Sequence, residues 1–330
     1  GVFRESGYGR EGGREGIFDV LKDRTCDISA RVLRRAKIID ATVLKSEDCV
    51  DRTRRFLIGG KLVRPDGGMS FPISSPSGVL LGSVGDAGRK DVRNAVEAAR
   101  GAFESWRGQS AHLRAQILYF FAENLDNERE RFADLLRRQT DCEAGDAKSV
   151  VKASVERLFY YAALADKFEG TVQPVSPKMT VVGVKEPLGV IGIRPSDLTP
   201  LLGIVSAIAP AIVMGNTVVA VTGQYDALSA SDLIQVVQTS DVPPGVVNIL
   251  SAANPDALAK VLAEHEDVDA VWFFGGRSGG AVVEAASASN MKRTWAEEYT
   301  PGSGLCLPSA VAKKFLRQAT QVKNIWTPFG

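Results

Sequence analysis

The chain has 330 residues, a formal net charge of +1 and 24% charged residues. That length allows one large domain or two, and the charge supplies no long-range field to attract nucleic acid or an anionic membrane surface. The four cysteines (Cys26, Cys49, Cys142, Cys306) have no CxxC or metal-ligand spacing, and the only histidines are His112 and His265, so no metal site is expected and a reducing, cytoplasmic compartment is.

Residues 1–24 (GVFRESGYGREGGREGIFDVLKDR) are rich in glycine and charge. Glycine at that density does not build a core, so the stretch reads as a loop hugging another surface or as a disordered leader. Its opening within a glycine-rich run is expected of a piece of a longer polypeptide. Residues 25–55 carry strong charge with some apolar–basic alternation. An edge strand over 32–40 is one reading, and a solvated linker is preferred.

From Phe56 the texture changes. FLIGGKLV, with Gly59 and Gly60 in the turn, predicts a hairpin or strand bend. FPISSPSGVLLGSVGDAG adds two short strands around Pro76 and Gly78. Helices are then predicted over 89–106, 111–125, 130–139 and 146–168. In the first of these Val92, Ala95, Val96, Ala99 and Phe103 form one buried stripe. The run Phe159-Tyr160-Tyr161 falls on the same spacing and reads as core rather than a stacking platform. His112 stands at a helix start and reads as solvated.

Residues 180–185 predict a strand able to leave the domain and return. The centre of the chain, VKEPLGVIGIRPSDLTPLLGIVSAIAPAIVMGNTVVAVT, reads as one βαβ unit. Pro187 and Gly189 open a buried strand over 190–193. Pro200 is placed to begin a helix over 201–214 that is apolar almost all round, hence buried, and too short to span a membrane. Gly215 and Asn216 end the helix, and β-branched residues 217–221 return as a parallel strand. Helix and strand then alternate over 226–239, 246–250, 255–265, 270–274, 278–288 and 293–297. The result is an α/β fold, a Rossmann-like, doubly wound, mostly parallel sheet with an N-terminal helical lead-in. The tail, 298–330, holds a short helix around 310–319 and a β-prone edge over 322–326, stopped by Pro328.

One loop has phosphate-binding character: Trp272-Phe273-Phe274-Gly275-Gly276-Arg277-Ser278-Gly279-Gly280, between a strand and a helix. Backbone N–H groups and the helix dipole favour an anion there, and Arg277 adds charge. A tight strand-to-helix turn with no ligand explains the same glycines equally well.

PLGVIGIRP, APAIVMGNTVV, VPPGVVNIL and DVDAVWFFGG, in this order, resemble the successive Rossmann-half signatures of the aldehyde dehydrogenase superfamily. FLIGGKLV through DVRNAVEAARGAFESWR resembles its N-terminal lead-in. The resemblance implies a cofactor-binding domain over 56–297, with Gly275, Gly276 and Gly280 at the phosphate loop. ESGYGREGGREGI resembles instead the end of a preceding copy, which makes 1–24 the tail of another module and 25–55 a linker. A two-module parent of this plan is known in the family 16 aldehyde dehydrogenases, whose second, C-terminal module is degenerate.

Departures from the family pattern set the functional expectation. Pro-Trp-Asn-Phe-Pro, whose Asn donates to the oxyanion, is here Pro195-Ser196-Asp197-Leu198-Thr199-Pro200, one residue longer and without Asn; a carboxylate at Asp197 opposes negative charge. The ribose-holding Lys-Pro-Ser-Glu aligns with Val221-Thr222-Gly223-Gln224, and the charge-assisted contacts go with the charges. Glu297 falls on the general-base position, but no nucleophilic Gly-Gln-x-Cys follows. Cys306 lies nine residues beyond Glu297 in GLCLPS, without a base or positive pocket in the sequence around it. FLRQATQVKNIWTPFG resembles the terminal oligomerisation strand. The expectation is therefore a non-catalytic module, with Glu297 vestigial and no metal. No tightly held cofactor is expected, though NAD serves the parent. Partners would be the catalytic module of the same chain or a second subunit, and neither nucleic acid nor membrane. The alternative is part of an active NAD-dependent dehydrogenase oxidising aldehydes to acids.

Overall fold

The computed structural model describes residues 52–168, 170–176, 178–298 and 309–328. Residues 1–24, the possible strand at 32–40, and Cys306 lie outside the described residues. The end of the expected linker does not hang free. Arg54 bridges to Val84, its guanidinium pairs with Asp232, and Thr53 Oγ1 lies 3.1 Å from Ser83 Oγ.

The main sheet has seven strands. β1 (Phe56–Ile58) and β2 (Lys61–Val63) form the predicted hairpin, with Gly59 and Gly60 both at positive φ (58° and 77°) as a twist-matched two-residue turn requires. β3 (Ser70–Ser74) and β4 (Leu80–Gly85) form a separate two-stranded sheet, bridged at Val84 by Arg54. The helical lead-in is α1 (Arg89–Arg107), α2 (Ala111–Asn127), α3 (Arg129–Thr140) and α4 (Ala144–Leu164). Tyr161 is fully buried, as core packing predicts, whereas Phe159 is exposed beside Tyr119, with ring centroids 5.9 Å apart. His112 is exposed.

β5 (Thr171–Ser176) and β6 (Met179–Pro187) leave the main sheet as a second hairpin. β7 (Val190–Arg194), α5 (Leu202–Val213) and β8 (Thr217–Thr222) are the central βαβ unit, and every residue of the three elements is buried. Pro200 precedes the helix rather than opening it. Leu201 caps the helix at φ 67°, ψ −59°, in a γ-turn closed by the Leu202 N–H to the Pro200 carbonyl at 2.9 Å. At the other end Gly215 takes φ 93°; its N–H bonds the Ile212 carbonyl and that of Asn216 the Ala211 carbonyl, a complete Schellman stop.

Then follow α6 (Ala227–Gln238), β9 (Val247–Ser251), α7 (Pro255–Glu264), β10 (Ala270–Phe273), α8 (Arg277–Ser287) and β11 (Arg293–Ala296). The strand order is β11-β10-β7-β8-β9-β1-β2, parallel from β11 to β9, with β1 antiparallel. The core lies on both faces: α1, α7 and α8 cover one, and α2 to α6 the other. Because β8 and β9 build out on one side of β7 while β10 and β11 build on the other, the order reverses between β7 and β10, where such sheets place their ligand crevice.

The tail returns as α9 (Ser309–Gln318) and β12 (Thr320–Pro328). β12 pairs with β6 over nine residues, Thr320 opposite Pro187 to Pro328 opposite Met179, giving the separate sheet β12-β6-β5. The β-prone tail therefore spends one edge on its own chain. Its other edge has no strand partner among the described residues.

Candidate functional site

Arg194 closes β7 at the point where the strand order reverses, in register with Phe273 of β10. A guanidinium ending an otherwise apolar strand must be paired when it is buried. Arg194 is 5% exposed, and four contacts hold it. Nε donates to Asp256 Oδ1 at 2.8 Å, Nη1 to Asp197 Oδ1 at 2.9 Å and to the Pro195 carbonyl at 2.5 Å, and Nη2 to Asp197 Oδ2 at 2.8 Å. The group also lies 5.9 Å from the centroid of the Phe273 ring. Burial alone would lower its pKa, but Asp197, Asp256 and Asp226 hold it above its ordinary value, so the charge is permanent.

Asp226, immediately before α6, is the fourth member of this cluster. Its Oδ1 accepts the Gly223 N–H at 2.9 Å and its buried Oδ2 has no hydrogen-bond partner. Desolvation first, then the negative charge of Asp197, push its carboxyl well above the usual range, against the pull of Arg194 and the Gly223 N–H. The Asp197 carboxylate, expected to oppose negative charge, is held bidentate by Arg194.

The glycine loop sits against the same residues. A Cβ on Gly275 would lie 2.6 Å from the Phe273 ring, and one on Gly279 2.6 Å from that ring and 3.0 Å from Asp256 Oδ2. Packing over Phe273 accounts for both glycines. Gly276 caps α8, with open space around the position of a side chain, and Gly280 is buried one turn in, its N–H bonded to the Gly276 carbonyl at 3.0 Å. Arg277 does not turn toward the loop: its side chain is 88% exposed and meets Glu298 at 3.2 Å. Val221, expected at the ribose position, is fully buried.

Glu297 follows β11, and its N–H bonds the Phe273 carbonyl at 2.9 Å. Its Oε1 accepts from Lys314 Nζ of α9 at 2.5 Å. Next to that pair Phe315 of α9 packs into Trp272, Phe274 and Trp295, with centroids 5.8, 5.7 and 4.8 Å away. The tail helix thus docks beside Glu297. Among the described residues no group of three or more His, Cys, Asp or Glu is arranged to hold a metal ion, and no helix is long and apolar enough to cross a membrane.

The aldehyde dehydrogenase family model matches residues 63–300. The chain belongs to the aldehyde dehydrogenase family. It is 36% identical over 248 residues to an aldehyde dehydrogenase of Davidiella tassiana, covering 73% of this chain and 49% of that one. A mitochondrial aldehyde dehydrogenase of Leishmania tarentolae is 35% identical over 243 residues, covering 72% and 48%. Among solved structures, an NAD-dependent aldehyde dehydrogenase from Sinorhizobium meliloti superposes with a TM-score of 0.70 at 26% identity, covering 73% of this chain and 49% of that one. PnpE in complex with nicotinamide adenine dinucleotide gives 0.69 at 30% identity, covering 73% and 50%. The chain spans about half the length of the relatives it matches.

Sequence reasoning named Asp197 but not its partners Arg194, Asp226 and Asp256. The signal was an arginine ending the strand VIGIR, a charge with nowhere polar to go. Nothing local pointed to Asp256, 62 positions away, or to Lys314 as the partner of Glu297.

Proposed function

We propose that this chain is a non-catalytic aldehyde-dehydrogenase-like module whose work is structural, in the assembly of a larger aldehyde dehydrogenase. The observation that carries the reading is the ion pair between Glu297 and Lys314. A general base acts by holding a lone pair free for a proton, and this carboxylate is committed to an ammonium from the tail of its own chain. The sequence supports it with the absence of a Gly-Gln-x-Cys nucleophile. The reading carries no tightly held dinucleotide and places the protein in a reducing cytoplasm, on cysteine spacing.

The assembling surface is the β12-β6-β5 sheet. Val172, Val182 and Ile325 stand opposite one another on one face, with Val184 beside them. Val172 is 69% exposed and Ile325 46%, and the outer edge of β12 offers unpaired backbone groups. The partner is the catalytic module of the same chain or a second subunit, engaged through that edge.

A second reading, part of an active NAD-dependent enzyme oxidising aldehydes to acids, is favoured by the names of the relatives. It needs a nucleophile supplied from outside the residues matched here. Analytical ultracentrifugation tests the assembly reading. Val172→Lys with Ile325→Lys should shift the protein to a smaller species while its circular dichroism is kept; an unchanged sedimentation coefficient contradicts it.

A further inference from the structure

We propose that the crevice at the strand-order reversal is occupied by the chain itself, the cluster Arg194–Asp197–Asp256–Asp226 holding together the region where a dinucleotide would otherwise bind. The inference rests on the non-catalytic reading and deepens it, giving the expected lack of a tightly held dinucleotide a structural cause.

An adenine dinucleotide needs backbone N–H groups open to its pyrophosphate, positive potential around them, and donors for its ribose. The residues present do not fit it. The guanidinium buried at this point, that of Arg194, is already held by Asp197, Asp256 and the Pro195 carbonyl. Asp256 also brings a carboxylate to the first turn of α8, within 3.0 Å of where a Gly279 side chain would begin, so the helix N-terminus that would attract phosphate faces negative charge. Arg277 is turned to solvent, and the residue expected at the ribose position is Val221.

The same arithmetic explains why the cluster is kept. The buried Asp226, the half-buried Asp197 and the part-exposed Asp256 are tolerable around one guanidinium only while it stays, because a buried charge stripped of its partner is far more costly than the pair is favourable. Asp226 completes the arrangement, with one oxygen accepting the Gly223 N–H and a buried second oxygen that no neighbour bonds.

Two experiments on the purified chain test this. Titration calorimetry with NAD should show no saturable heat; saturable binding overturns the proposal, whether or not any aldehyde turns over. NAD binding without turnover would leave the non-catalytic reading standing, whereas turnover would remove that reading. In the second experiment, Arg194→Met should lower Tm by about 10 °C, and adding Asp197→Asn with Asp256→Asn should recover more than half of that loss. If the single variant does not fold, folding of the triple variant is the same recovery. A triple variant no more stable than Arg194→Met shows that the charges are not a coupled unit and overturns the proposal.

Discussion

Lys314 Nζ lies 2.5 Å from Glu297 Oε1. The contact joins Glu297, expected at the family's general-base position, to α9 of the same chain, with both side chains part-exposed. Such pairs contribute little to stability, under about 1 kcal/mol, so their consequence here is chemical.

Glu297→Gln should therefore leave thermal unfolding almost unchanged, with a loss of under about 1 kcal/mol. Differential scanning calorimetry checks it. A destabilisation of several kcal/mol would mean that the carboxylate is a structural keystone rather than a remnant.

Phe315 is what anchors the tail helix. It is 4% exposed and touches Trp272, Phe274 and Trp295. Phe315→Ala should cost about 3–5 kcal/mol and shift tryptophan emission to the red, as water reaches the two indoles. Chemical denaturation followed by fluorescence reads both; an unshifted spectrum in the folded variant would show that α9 docks through other contacts.

Asn216 ties three parts of the chain together. Its Oδ1 accepts from the Leu188 and Gly189 N–H groups at 2.7 and 3.1 Å, and its Nδ2 donates to the Ala211 and Ala319 carbonyls at 2.9 and 2.8 Å. All four bonds are buried, and removing the side chain strands their partners, each at about 1–3 kcal/mol. Asn216→Ala should lower stability by at least about 3 kcal/mol, measured by urea denaturation, and loosen the attachment of β12 to β6.

Lys292 gives a pH signature. It is buried and its ammonium donates to the Val268 and Leu262 carbonyls at 3.0 and 3.3 Å and to that of His265. Desolvation pushes its pKa down to about 8, against the attraction of Asp269, Glu266 and Asp267, from about 10.4 in an unfolded chain. Between these values the unfolded chain holds a proton that the folded chain has released, so stability rises with pH across that window. The urea midpoint should rise between about pH 8 and 10, and in Lys292→Met that rise should be reduced. Identical pH profiles for the two proteins would refute the assignment.

The centre of the sheet was readable because its strands are buried on both faces. VIGI and TVVAV need no partner information to be placed, and the helix between them is apolar all round. β5 escaped because its sequence, TVQPVS, mixes polar residues with a proline and lies at a sheet edge. The fourth lead-in helix, expected to reach Phe168, stops at Leu164. The cluster at Arg194 was only half legible: Asp197 is three residues away and was noticed, whereas Asp256 arrives through a crossover and cannot be inferred from spacing. The glycine loop was legible as a turn, but its steric cause, the Phe273 ring, appears only in the folded chain.

The most direct measurement is NADH formation on mixing the purified chain with NAD and a short aliphatic aldehyde. The account predicts no absorbance change above the protein-free rate. Turnover that Cys306→Ala abolishes would contradict it, because a working thiol would then exist in this chain.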